Sequence, residues 1–245
     1  MRVYVDESIH ERGGFIVIAA VASVEPIQSI MDEALLACGL VPGQDEFKSC
    51  MKMQGNEAAQ ILRSRVRDIL NTQCRVAIAI CTITERPNLM SYAGRLVKQI
   101  AGSEGFETGV VYFDGGMKRN SLDMPPGWKA ECDCDSRVVA GIQLADGAAH
   151  NVAMMILVEL GLFNKTVSVS GFYPDDAGEM PVAWELWAST RYALSSGVPV
   201  SGYDEEGWCE PLMKPFGLLV SDKCSGEVKS AVERRLASVW VGCIH

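Results

Sequence analysis

Two apolar segments at the start of the chain constrain its fold more than any other feature. In the first, residues 1 to 8, alternation puts Tyr4 and Asp6 on one face of a strand and two valines on the other. The second, residues 15 to 23, is almost continuously apolar and rich in β-branched side chains, which is typical of a buried strand. Because only a short polar turn separates them, the two segments predict a hairpin.

The first strand is predicted to end abruptly in Asp6, Glu7 and Ser8, which would bring a carboxylate to the rim of a sheet. Charge in such a place is costly unless a cation accompanies it. A second apolar strand, residues 108 to 114, also ends in an aspartate. We therefore expect a divalent cation at this rim, with Glu7 directed away from it by strand alternation. The alternative is that Asp6 only closes the hairpin turn.

The rest of the chain alternates helical apolar stripes with short strands, followed by a C-terminal third of different character. Residues 195 to 215 are predicted as a loop, and Asp175-Asp176 as a turn. The pattern favours an α/β fold with a mixed central sheet, flanking helices and an α+β C-terminal extension. Predicted helices begin near 26 and span 56–70, 87–101, 135–161, from 180 onward and 227–239; further strands span 75–84, 129–135 and 216–220.

With 245 residues and 48% hydrophobic composition, the chain can bury a sizeable core. We expect one domain over residues 1–164 and a C-terminal extension, 165–245, packed on it. The net charge of −9 argues against a strongly basic surface that coats nucleic acid. An acidic protein can still act on a phosphodiester when metal ions supply positive charge locally.

The cysteines and the apolar runs bear on the compartment. Nine cysteines, an odd number and mostly scattered, predict free thiols in a reducing cytoplasm. The Cys132-Asp133-Cys134 motif has no second pair at zinc-like spacing, so it too is interpreted as free thiols. The acids at positions 6 and 7 interrupt any signal-peptide pattern. No apolar run approaches the roughly 20 residues that span a bilayer, so no membrane association is expected.

Four acidic residues recur near the predicted ends of elements: Asp6, Glu46, Asp114 and Asp146. Carboxylates gathered in one place cannot all ionise without a cation. Hard cations such as Mg²⁺ or Mn²⁺ prefer oxygen ligands and remove that cost. The four residues are therefore candidate metal ligands and catalytic groups, although a solvated loop glutamate explains Glu46 equally well.

Other side chains are candidates for contact with a substrate. Lys48 is a candidate to neutralise a phosphate, or is an ordinary surface lysine. His150 falls one helical turn after the last candidate acid, where it would transfer protons or simply bond a neighbour on the helix. Trp184, Trp187 and Tyr192 offer surfaces for stacking on bases, but their helical spacing favours a core role.

Several short motifs resemble a family of domains of unknown function, DUF 3800, of the ribonuclease H-like superfamily. The most specific are Asp-Glu-Ser at 6–8 and Gly-Ile-Gln-Leu-Ala-Asp at 141–146; Glu-Phe-Lys at 46–48, Tyr-Phe-Asp at 112–114 and Asp-Ser at 135–136 accompany them. The resemblance covers about residues 1 to 150. Ile9 departs from the pattern by replacing a glycine, as does the Gly-Ala-Ala continuation at 147–149.

The resemblance implies a ribonuclease H-like sheet, with Asp6, Glu46, Asp114 and Asp146 as metal ligands. It also implies hydrolysis of phosphodiester bonds in RNA or DNA, with Mg²⁺ or Mn²⁺ as cofactor. A second hypothesis is a non-catalytic protein-interaction module, accessory to a mobile-element or defence system. A third, an enzyme that handles a small phosphorylated substrate, ranks last because the chain has no Walker-type or GxGxxG loop. The oligomeric state is left open.

Overall fold

The computed structural model describes residues 1–117, 122–168 and 178–242. Their strands and helices are interspersed along the chain, and most elements after Glu159 are short. The strands are β1 (Arg2–His10), β2 (Phe15–Ser23), β3 (Arg75–Thr82), β4 (Gly109–Asp114), β5 (Trp128–Cys134), β6 (Thr166–Ser168), β7 (Glu179–Pro181), β8 (Ser195–Pro199), β9 (Leu212–Pro215), β10 (Gly217–Val220) and β11 (Val239–Trp240). The helices are α1 (Gln28–Leu36), α2 (Glu57–Gln73), α3 (Leu89–Glu104), α4 (Gly141–Glu159), α5 (Val182–Ala188), α6 (Arg191–Leu194) and α7 (Gly226–Leu236).

A six-stranded mixed sheet in the order β10-β3-β2-β1-β4-β5 organises the fold. The strand β2 runs antiparallel to both β1 and β3, whereas β4 is parallel to β1 and β5 is parallel to β4. The α/β class, the mixed sheet and the opening hairpin are thus confirmed. The C-terminal segment contributes β10 to this sheet, parallel to β3.

Strand alternation divides the core between the two faces of the sheet. Tyr4 packs on one face with α4 and α2, whereas Val3 and Val5 pack on the other face with α3. The alternation predicted for the first strand is therefore confirmed. It puts Asp6 on the same face as Tyr4 and α4.

Helix α4 crosses the sheet so closely that its first residue must be small. A Cβ atom built on Gly141 would lie 2.4 Å from ring carbons of Tyr4. That ring is itself stacked on Tyr112, with 5.4 Å between the centroids, so it has little room to shift. Nearly all of α4 is buried, which explains why its apolar residues do not form a narrow stripe.

We expect Gly141→Ala to lower the free energy of unfolding by about 1–3 kcal/mol, because the added methyl group overpacks the contact with Tyr4. Gly102→Ala in α3 is the matched control, since nothing lies within 4 Å of its built Cβ. That change should be neutral or stabilising by up to about 1 kcal/mol. Chemical denaturation of both variants measures the difference, and equal stabilities would contradict the close approach.

Three predicted boundaries were wrong. The strand β1 does not end in the Asp6-Glu7-Ser8 segment but continues to His10, paired throughout with β2. The helix predicted from 135 begins at 141, because Asp135 instead accepts a hydrogen bond from the backbone of Arg137 in a turn. The supposed loop at 195–215 contains β8 and β9, which form a small sheet with β11.

Other predictions concern side chains outside the central sheet. The eight cysteines in the described ranges are free, while Cys243 and the predicted turn at 175–176 lie outside them. Trp187 packs against the core and stacks on Trp240 at 5.9 Å, as the core interpretation predicts. For Tyr192 that interpretation was wrong, because its side chain is 43% exposed. Across the three described ranges, no helix combines the length and apolar character required to cross a bilayer.

Candidate acidic site beside the central sheet

Asp6 and Asp114 lie on neighbouring parallel strands at the point where β4 ends. Val5 is in register with Phe113, so the next residue on each strand is one of the two aspartates. The pairing of β4 with β5 contains a bulge between Tyr112 and Asp114, beside Asp133, which has a positive φ of 57°. Bulges commonly redirect side chains beside functional sites. The rim predicted from the sequence therefore exists, but the end of β4 forms it, not the end of β1.

Asp146 faces this rim from α4 and is held there by Ser49. The backbone N–H of Ser49 donates to Oδ2 at 2.7 Å, and its hydroxyl donates to Oδ1 at 2.6 Å. One turn earlier on α4, the buried Gln143 accepts a hydrogen bond from the backbone of Phe47 at 2.7 Å. The connection that carries Glu46 and Lys48 is thus bound to α4 at two residues one helical turn apart.

Glu46 lies at the outer side of the site. Its Oε2 accepts hydrogen bonds from the hydroxyl of Ser136 and is 3.3 Å from the Nζ of Lys48. Partial burial lowers the pKa of Lys48, but Glu46, and then Asp146 and Asp114, raise it by more. Lys48 therefore pairs with Glu46 and also feels the negative charges of Asp146 and Asp114.

The electrostatics of Asp6 are those of a buried acid among other acids. Its side chain is almost inaccessible, at 8% exposure. Burial is the main cause that raises its pKa to about 8, and the negative charges of Asp114, Asp146 and Glu7 add to it, whereas a hydrogen bond from the backbone of Glu7 opposes it. Without a cation, Asp6 is thus protonated at neutral pH.

Glu7 joins the acidic set from the other face of β1. Burial and Asp114 raise its pKa, with Arg86 opposing, and its buried Oε2 has no hydrogen-bond partner among the residues that the structure describes. A Cβ atom built on Gly116 would lie 3.8 Å from an oxygen of Asp114 and 3.9 Å from one of Glu7, so the turn after β4 brings these two carboxylates near each other. Glu7 therefore lies on the opposite face of β1 from Asp6, as expected, but its carboxylate is still near Asp114.

The oxygen donors suit a hard cation, although the side chains do not form a finished coordination shell. Among the residues with described positions, no group of three or more His, Cys, Asp or Glu side chains is arranged to hold a metal. The donor set is nevertheless all carboxylate, which Mg²⁺ and Mn²⁺ prefer. The unpartnered Oε2 of Glu7 and the mutual repulsion at Asp6 are both relieved by added positive charge. In donor chemistry and charge, the residues fit the ion.

His150 lies one turn beyond Asp146 and is half-buried. Burial lowers its pKa to about 4, and the positive charge of Arg63 adds to this effect. The ring of His10 lies 6.4 Å from it, between centroids. At neutral pH, His150 is therefore an uncharged imidazole that offers one donor and one acceptor but no positive charge.

We expect Ser49→Ala to weaken the affinity of the protein for Mn²⁺ by about 10- to 100-fold, because groups that orient a metal-binding carboxylate have effects of this size. The variant keeps the backbone hydrogen bond to Asp146 and loses only the one from the hydroxyl. The exposed Ser230 on α7 supplies the control, Ser230→Ala, which should bind as the wild type does. Titration calorimetry measures both, and identical affinities would contradict the role given to Ser49.

Comparison with known proteins adds no relative: no protein family matches the sequence, and no curated protein matches it significantly. The resemblance to DUF 3800 accordingly stays a prediction, as do the ligand roles of Asp6, Glu46, Asp114 and Asp146.

Proposed function

We propose that this chain is a divalent-metal-dependent nuclease that hydrolyses phosphodiester bonds of RNA or DNA. The mixed sheet, with an antiparallel hairpin followed by two parallel strands, supports a ribonuclease H-like fold. The approach of the acids near 6, 114 and 146, which are far apart in the sequence, supports a single site of the kind that the DUF 3800 resemblance implies.

One observation carries the proposal: a buried aspartate whose negative charge is disfavoured by other aspartates from distant parts of the chain. The carboxylate form of Asp6 does not stabilise the fold, because burial, with the charges of Asp114 and Asp146 added to it, raises the pKa of Asp6 to about 8. Such perturbed carboxyl groups are concentrated at functional sites. A structural role would be served as well by asparagine, whereas a cation-binding role requires the acid.

Asp6, Asp114 and Asp146 would hold the ion, with Glu46 at the outer side. A bound Mg²⁺ or Mn²⁺ supplies Lewis acidity, which favours deprotonation of water and stabilises charge on a phosphate. Ser49 keeps Asp146 in one orientation through two hydrogen bonds. Each carboxylate then enters the site already positioned, which reduces the entropic cost of assembling it.

Lys48 and His150 act on the substrate. The Lys48 side chain is 42% exposed, and its elevated pKa keeps it charged, so it neutralises a phosphate at the open side of the site. The low pKa of His150 makes it a weak base. Its role is to hydrogen-bond the substrate beside Asp146, and proton transfer is left to water.

The direct test is cleavage of labelled single-stranded, duplex and hybrid substrates by the purified chain with Mg²⁺ or Mn²⁺. The proposal expects cleavage of at least one substrate, lost when EDTA removes the ion and restored when the ion is returned. Absence of cleavage on all substrates with either ion, or equal cleavage in EDTA, would refute it.

A second candidate, a protein-interaction module, is favoured by one surface feature. Tyr203 and Trp208 are exposed to 68% and 73%, and both line a shallow depression between β8 and β9. Large exposed aromatic residues are typical of binding surfaces. This candidate predicts that the protein binds no divalent ion and that a specific partner is captured by the wild type but not by Trp208→Ser.

A further inference from the structure

A cavity of about 500 Å³ lies on the far side of His150 from the acidic site. Its walls come from α2, α4, α5 and the segment around β6. The volume falls within the roughly 300–1,000 Å³ typical of pockets for small ligands. None of the candidate metal ligands lines this cavity, so it is separate from the acidic site. His150 is the residue of the described lining that also lies beside that site.

The charge of this cavity is opposite to that of the protein. Arg63, Arg67 and Lys165 line it, although the chain carries a net charge of −9. The one carboxylate in the described lining, Glu185, is already paired with Arg67 at 2.5 Å. Among the described residues, neither Arg63 nor Lys165 forms an ion pair. Two cations therefore remain for an anionic ligand.

Arg63 is the better placed of the two cations. It is half-buried, and burial together with the neighbouring Arg67 lowers its pKa, as expected for a guanidinium that lacks its own counter-ion. Its Nη2 donates to the carbonyl oxygen of Ser49 at 2.9 Å. Since Ser49 also holds Asp146, the anion-binding side of the cavity is connected through one residue to the acidic site.

The rest of the lining is suited to a flat, partly apolar group. Met154, Phe163, Val167 and Leu186 provide apolar walls. Asn151 is 6% exposed and lines the same space. Its amide carries one acceptor and two donors, which suit a ligand with donors and acceptors on its edge.

We propose that this cavity binds one nucleotide unit. Arg63 and Lys165 contact its phosphate, Phe163 and Met154 pack against its base, and Asn151 hydrogen-bonds the edge of the base. The inference rests on the proposed function in one respect, that a bound strand continues from the cavity past His150 to the acidic site. Binding itself needs no metal ion and no cleavage.

Binding is tested in EDTA by titration calorimetry, with adenosine and uridine monophosphates, inorganic phosphate and a short single-stranded oligonucleotide as probes. The wild type should bind a nucleotide probe more tightly than phosphate alone. Arg63→Gln should weaken that binding by about 10- to 100-fold, the size expected for losing a charge-assisted hydrogen bond. Arg65→Gln, on the exposed face of the same helix, should leave the affinity unchanged.

A second pair of variants guards against misfolding of Arg63→Gln. Lys165→Glu changes an exposed residue at the cavity and should also weaken nucleotide binding. Lys214→Glu, at an exposed position of β9, should leave that binding unchanged. If the oligonucleotide binds more tightly than the monophosphates, the nucleotide unit in the cavity belongs to a strand. If the monophosphates bind more tightly, the natural ligand is a free nucleotide. No nucleotide binding, binding no tighter than that of phosphate, or equal losses in Arg65→Gln would overturn the proposal.

The two proposals fail separately. Binding that depends on Arg63 without any metal-dependent cleavage would leave the nucleotide cavity standing and remove the nuclease. Metal-dependent cleavage without nucleotide binding in the cavity would do the opposite.

Discussion

Replacing Asp6 or Asp146 with asparagine is expected to reduce metal-dependent cleavage by at least about 100-fold. The loss of a metal-binding carboxylate should exceed the 10- to 100-fold effects seen for residues that merely orient such ligands. Asparagine keeps the size of the side chain, and its one amide oxygen can still accept the hydrogen bond from the backbone N–H of Glu7 or of Ser49. The change therefore removes charge with little disturbance of structure. Initial rates with Mg²⁺ measure it.

The control is Asp68→Asn, which removes an equal charge from the exposed surface of α2. It should retain the wild-type rate. If either site variant cleaves at a rate within a few-fold of this control, the carboxylate at that position is not part of the catalytic machinery.

The same Asp6→Asn variant is expected to be more stable than the wild type at about pH 9 in EDTA, by on the order of a few kcal/mol. The reason is that the folded-state pKa of Asp6 is raised from 3.8 to about 8. A raised pKa contributes stability that is present below the unfolded pKa and is lost as the pH rises through the folded pKa. Asparagine has no proton to lose, so its contribution stays constant over that window.

Urea denaturation at about pH 5 and about pH 9 measures this difference. The free-energy gap between the variant and the wild type should widen as the pH rises from about 4 to about 8. Saturating Mn²⁺ should narrow the gap, because the ion binds the folded wild type. Asp68→Asn again serves as the control. If Asp6→Asn is less stable than the wild type at the higher pH, the described electrostatics of Asp6 are wrong.

The elements with strong local patterns were predictable from the sequence. The alternation in β1 correctly placed Tyr4 and Val5 on opposite faces of the sheet. The unbroken apolar run of β2 correctly indicated that this strand is buried on both faces. Residues 195–215 were not predictable, because their short strands contain glycine and proline and pair with a distant segment. Turn chemistry at Asp135 also imitated a helix start, since the same side-chain oxygen can cap a helix or a turn.

Asp6, Asp114 and Asp146 were identifiable as candidates because they follow or interrupt apolar segments, whereas Glu46 lies in a polar connection. Their supporting residues carried no comparable signal. Ser49 is one hydroxyl in a polar connection, and its role depends on a contact with Asp146, 97 positions away. Arg63 is one of several basic residues on α2, and only the tertiary structure turns it toward the cavity. Local sequence thus indicates the candidate ligands, whereas long-range packing selects the residues that orient them.

The most direct measurement is a crystal structure of the protein soaked in Mn²⁺, with the ion located by its anomalous scattering. The account predicts a peak with carboxylate oxygens of Asp6, Asp114 and Asp146 at roughly 2.0–2.4 Å. A map with no peak beside Asp6, or with the ion bound elsewhere on the surface, would contradict it.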